Sequence, residues 1–135
     1  PLLDVYAARQ EITMRTSFSK QIKPYIEAEL NKAASARSAS YYNEEFSHLE
    51  RAHVLGQEST YWHVKVHVLM LVWAVRNHDI KEALGQVVRI IGAATVTVLG
   101  LIPLGNTGGS NVSPFKKMPI DPELAALIHK AKDGI

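Results

Sequence analysis

The sequence predicts an all-α fold: an antiparallel helical bundle of four main helices, arranged as two helical hairpins, plus a short C-terminal helix. Three observations carry that expectation. No stretch alternates apolar and polar residues with a period of two over a useful length, which removes the signature of a sheet. Apolar residues recur instead at three- and four-residue spacing between short polar breaks. Those breaks carry helix-start chemistry: a Ser, Thr or Asp stands just before each apolar-periodic run.

Residues 1–13, PLLDVYAARQEIT, precede an internal Met14 and read as a leader or a disordered extension, with a single helical domain over 14–135. Pro24 suits a first helical turn and disrupts later ones. The first secure helix is therefore expected from about Lys23 to Arg37, with Ile26, Leu30 and Ala33 or Ala34 as its apolar stripe. Ser38 or Ser40 is placed to cap a second helix, with Glu44 and Glu45 in early turns where the dipole favours acids, and Gly56 at its end. Ser59 or Thr60 caps a third helix, Tyr61 to about Arg76. Asn77-His78-Asp79 breaks it, and Asp79 with Glu82 has the spacing of a capping box for a fourth, reaching Leu99 or Leu101 before Pro103. The run GNTGGSNVSPFKKMP is expected to cross the surface as a turn-rich loop, with Asn106 or Thr107 able to approach a site at one end of the bundle. It lacks the Lys-Ser/Thr of a phosphate-binding loop. Asp121-Pro122-Glu123 then starts a short last helix to about Lys130.

Composition narrows the function classes. A net charge of +2, with no run of four Lys or Arg, gives no polyanion surface, so no nucleic-acid partner is expected. The absence of cysteine excludes disulfides, thiolate metal sites and a thiol nucleophile, and fits a cytoplasmic location. The uninterrupted apolar run Ile90 to Ile102 is shorter than the roughly 20 residues of a membrane helix, so no membrane partner is expected either.

Chemistry concentrates between Ser47 and Met70, which hold four of the six histidines. On a helical wheel the second helix gathers Phe46, Leu49, His53 and Gln57 on one side with Glu50 beside them, and turns His48 outward. The third helix sets His63, His67, Met70 and Ala74 opposite Tyr61, Lys65 and Arg76. Imidazoles on a buried face need hydrogen bonds or a metal. Folded as an antiparallel hairpin, the two helices bring His53 level with His63 and Glu50 level with His67. The expectation is a mononuclear site for one divalent transition metal ion, with ligands Glu50, His53, His63 and His67, and Gln57 behind them holding a water or a bound small molecule. Zinc, iron, manganese and copper all suit such donors. On the fourth helix Glu82, Gln86 and Arg89 share a side away from Leu84, Val87, Ile90 and Ile91, and read as its solvent face rather than as the mouth of the site.

An open coordination position would make the protein a metal-dependent hydrolase or oxidoreductase, and a closed one a store, a sensor or a structural centre. Binding is expected to weaken below about pH 6, as the imidazoles protonate. The competing reading is a helical-repeat-like interaction module, in which Glu50 bridges a metal-free histidine network. A spacing of 37 residues between Glu45-Phe46 and Glu82-Ala83 supports that only faintly. Valines or tryptophans exposed on the third helix would point to a homodimer. The segments HLERAHVLGQ, HVKVHVLM, GQVVRI and GNTGGSNVSPFKKMPI resemble a family of small bacterial helical proteins of unknown function, over about Tyr25 to Leu124. That resemblance implies a compact helical domain and supplies no activity.

Overall fold

Good helix formers fill the chain on both sides of Pro24, and in the computed structural model, which describes residues 2–134, they continue one helix through it. Pro1, the first residue of the expected leader, and Ile135 lie outside the described residues. Helix α1 spans Leu2–Ser38, well beyond the expected start near Lys23. Proline removes one backbone donor and frees the carbonyl of Lys20, but both residues are exposed, so the helix continues on its solvent side at small cost. The buried stripe Phe18, Ile22, Ile26, Ala33 and Ala36 runs along the inner side of α1, while residues 2–14 are exposed throughout.

Helix α2 spans Tyr42–Gly56, α3 Thr60–Arg76, α4 Ile80–Val98 and α5 Pro122–Asp133. The expected serine cap on α2 is absent: α1 runs on to Ser38, Ser40 belongs to the turn that ends it, and Tyr41 stands at the cap position. Ser40 takes a positive φ of 61° and the Tyr41 amide donates back to the Ala36 carbonyl. Ser59 and Asp79 do cap α3 and α4, each accepting from the backbone amide three residues on. Asp121 caps α5, with Pro122 at its first position.

Three-residue connections after α1, α2 and α3 force antiparallel neighbours. α1 packs on α2 and α3 on α4, two hairpins joined through α2 against α3, with α5 laid across α1 and α2. Between them lies a core of Ile22, Ile26, Leu49, Leu55, Trp62, Val66 and Met70. Among the described residues there is no strand. Nor, among those residues, is any helix long and apolar enough to cross a membrane.

Helix α4 is turned the opposite way from the sequence expectation. Gln86 is fully buried, and Glu82, Ala93 and Thr97 are buried along the same side. Leu84 and Ile91, expected inside, are 65% and 69% exposed, with Val87 and Val88 beside them. The polar face points inward because the surface it covers is itself polar.

Candidate metal centre

His53 comes from the last turn of α2, and His63 and His67 lie one turn apart on α3. All three are at least 95% buried, and one ring nitrogen of each lies within 4.8 Å of those of the other two. The ring centroids stand 4.5 to 5.0 Å apart. His53 therefore faces the gap between His63 and His67 instead of pairing with His63 alone. Two rings four residues apart on one helix are separated by about 6 Å of rise, so one ring on the facing helix can meet both.

Glu50 is not in this group. It is half-buried one turn before His53, and burial, with the negative charge of Glu82 nearby, raises its carboxyl above the usual range. Gln57 is buried beside the cluster, but both ends of its amide hold the chain after α4: Nε2 donates to Pro103 O and Oε1 accepts from Gly105 N. His48, expected to face water, is only partly exposed and contacts the buried Glu29 carboxylate at 2.7 Å, next to Arg51.

Each histidine Nδ1 is engaged by an oxygen from α4 or the loop that follows it. His53 Nδ1 donates to the carbonyl of Asn106 at 2.9 Å. His67 Nδ1 meets Gln86 Oε1 at 2.6 Å, and His63 Nδ1 meets Thr97 Oγ1 at 2.6 Å. The amide of Gln86 has a fixed orientation, since its Nε2 donates to Glu82 Oε1 and to Gly108 O, which only accept. Its Oε1 is thus an acceptor, and the His67 proton sits on Nδ1. A carbonyl partner sets the same tautomer on His53. The Nε2 atoms of His53 and His67 then face each other 3.0 Å apart, each presenting a lone pair.

An added proton is a poor remedy for that contact. Burial, then the charges of His67 and His63, push His53 well below the usual imidazole range. Burial lowers His63 to about 3 and His67 to about 4. Two nitrogens on one tetrahedral ion, each about 2.1 Å from it, stand roughly 3.4 Å apart. The His53–His67 separation is close to that, and the Nδ1 partners are of the kind that orient metal-binding imidazoles.

The loop 99–121, expected on the surface, closes over the histidines. Asn106 ties it together, donating to Ser113 O and Lys116 O and accepting from the Gly108 amide. Gly108, at φ +86°, lies flat against the His53 ring. The histidines form the floor of a cavity of about 520 Å³ whose walls include Val88, Arg89, Ala93, Ile102, Pro103 and Pro114. Exposed Leu101 and Phe115 mark its rim.

Sequence reasoning assigned Gln86 and Arg89 to solvent and gave Thr97 no role. A signal was present: Glu82, Gln86, Arg89, Ala93 and Thr97 follow a helical stripe of their own. A polar stripe suits a helix that must cover buried imidazoles. Comparison with curated proteins gave no match, and comparison with solved structures gave none. The family model described as "Protein of unknown function (DUF3703)" matches residues 20–128, which include the three histidines and all three of their Nδ1 partners, and the chain belongs to that family.

Proposed function

We propose that this protein binds one divalent transition metal ion through His53, His63 and His67, with a coordination position open to the cavity. The observation that carries the reading is the opposed pair of Nε2 lone pairs on His53 and His67, 3.0 Å apart and buried, with both Nδ1 protons committed elsewhere. Neutral rings in that arrangement repel one another, and a shared cation removes the repulsion. Three imidazoles without a carboxylate favour zinc, iron or copper over manganese. Three protein ligands and an open position are the pattern of catalytic sites, where the ion acts as a Lewis acid and lowers the pKa of a bound water. Glu50 stands outside this donor set, and the negative charge behind His67 comes from Glu82. Hydrolysis or hydration of a ligand held in the cavity is the reaction class that fits best.

Elemental analysis of protein purified without a nickel column is the test. About one metal ion per chain is expected, and under about 0.2 per chain, with no thermal shift on adding zinc, iron(II) or copper(II), would overturn the reading. At a free metal concentration 100 times Kd the stabilisation is about 2.7 kcal/mol. A chain of 135 residues has an unfolding entropy near 0.28 kcal/mol/K, so the melting temperature should rise by about 10 °C. Replacing His63 and His67 together by alanine should abolish that rise.

A further inference from the structure

Arg89 and the cavity's lining point to the kind of molecule that occupies it. Among the described residues the wall carries two cationic side chains, Arg89 and Lys117, and no carboxylate. Arg89 donates to two backbone carbonyls, through Nη1 to Gly85 O and through Nη2 to Val112 O. Those bonds fix the guanidinium in place without neutralising it. Its Nε is buried with no acceptor, and among the described residues Arg89 forms no ion pair. Glu82, the acid whose charge acts on Arg89, is hydrogen-bonded instead to Gln86 and to the amide and hydroxyl of Ser110 and forms no ion pair with the guanidinium. Arg89 is also close enough to the cluster for its charge to act on both His53 and His67. A fixed, half-buried cation beside a neutral histidine floor makes the cavity attractive to an anion. The rest of the wall and the rim is largely apolar: Val88, Ala93, Leu101, Ile102, Pro103 and Phe115.

We infer that the cavity binds an organic carboxylate with an apolar body, its carboxylate held between the histidine-bound metal ion and Arg89 and its body along the apolar wall. The metal contact rests on the function proposed above, whereas the contribution of Arg89 does not. The carboxylate is a ligand in this account, and no bond in it is made or broken. A cavity of about 520 Å³ is within the usual range for a small organic ligand.

Isothermal titration calorimetry with acetate, hexanoate and hexanamide tests this, on the zinc-loaded protein and on protein stripped by chelator. Hexanoate should bind at least about tenfold more tightly than acetate, because of its added methylenes, and at least about tenfold more tightly than neutral hexanamide. Arg89→Gln should lose about tenfold or more for hexanoate while keeping the zinc content of the unmodified protein, and Arg89→Lys should fall between them. Equal binding of hexanoate and hexanamide would overturn the inference, as would unchanged hexanoate binding by a folded Arg89→Gln. If Arg89→Gln does not fold, the hexanoate–hexanamide comparison on the unmodified protein decides. Zinc content of the same samples separates the two readings. Stripped protein that still prefers hexanoate supports the Arg89 contribution by itself, whereas zinc-free preparations that never take up metal overturn only the metal reading.

Discussion

Gly108→Ala tests whether the loop holds His53 in place. At φ +86° an alanine costs about 1–2 kcal/mol in backbone strain. A Cβ built there would lie 2.8 Å from both Cγ and Cδ2 of the His53 ring. The ring cannot easily retreat, being 2% exposed and tied through Nδ1 to Asn106 in the same loop. Overpacking of this kind adds about 1–3 kcal/mol, for a total near 2–5 kcal/mol. With an unfolding entropy of about 0.28 kcal/mol/K, the melting temperature should fall by roughly 7–18 °C. Displacing the ring should also weaken zinc binding at least about tenfold, read by competition with a chromogenic chelator. Gly92→Ala is the control, since a Cβ there meets nothing within 4 Å inside α4 and should stabilise by about 0.5–1 kcal/mol. If Gly108→Ala melts within about 1 °C of the parent and binds zinc equally well, the loop does not position His53 and the reasoning fails.

Three further outcomes are expected. Gln86→Leu removes the acceptor of His67 Nδ1 and the donor to Gly108 O and Glu82, so chemical denaturation should show a loss of about 2–4 kcal/mol and chelator competition a zinc affinity about 10–100-fold weaker. Asn106→Ala leaves the Ser113 and Lys116 carbonyls without their donor, and limited proteolysis should cut the loop 99–121 faster while the helical circular dichroism is kept. In the metal-free protein His63 and His67 stay neutral down to about 3 and about 4, whereas in the unfolded chain they take up protons near 6.5, so their stabilisation is complete above pH 6.5 and lost as pH falls toward 4. Each therefore costs about 1.4 kcal/mol of stability at pH 5.5, and His53, also pushed down by burial, adds to the loss, so the melt at pH 5.5 should lie at least roughly 10 °C below that at pH 7.5; identical melts would show that the histidines are not buried neutral. The same depression moves proton competition for the metal from the expected pH 6 toward pH 4.

The inner faces of α2 and α3 were legible because large apolar residues sit among the polar ones. Leu49 and Met70 have only one place to go, and helical spacing then carries His53, His63 and His67 inward with them. Glu50 was less legible, since its position beside that stripe fits both a ligand and a half-buried neighbour. The extent of α1 was hidden by Pro24, whose disruption is small on a solvent-facing side, as the burial pattern around it shows. The loop was hidden for a different reason. Its folding over the site depends on Asn106 bonding to residues seven and ten positions later, and on Gln57 some 48 residues before Gly105, and no local pattern encodes those partners.

Helix α4 poses the sharpest conflict between hydrophobic patterning and the observed packing. Its aliphatic face, Leu84, Val88 and Ile91, would gain about 1.5–3 kcal/mol per residue if fully buried. Turned that way, it would leave Nδ1 of His67 and Nδ1 of His63 without Gln86 and Thr97, at about 1–3 kcal/mol each. The two terms, about 4.5–9 and about 2–6 kcal/mol, overlap, and the observed orientation is the one in which the polar contacts to the histidines are made. Leu84→Lys combined with Ile91→Lys separates the possibilities, because both positions are more than 60% exposed. Substitutions at such positions usually change stability by less than about 0.5 kcal/mol each, so the double variant should melt within about 4 °C of the parent. A loss of several kcal/mol would mean that this face is covered. If parent stability then rises with protein concentration, the cover is a second copy of the chain; if it does not, α4 packs in the orientation that the hydrophobic pattern alone predicts, and the histidine centre loses two of its three Nδ1 partners.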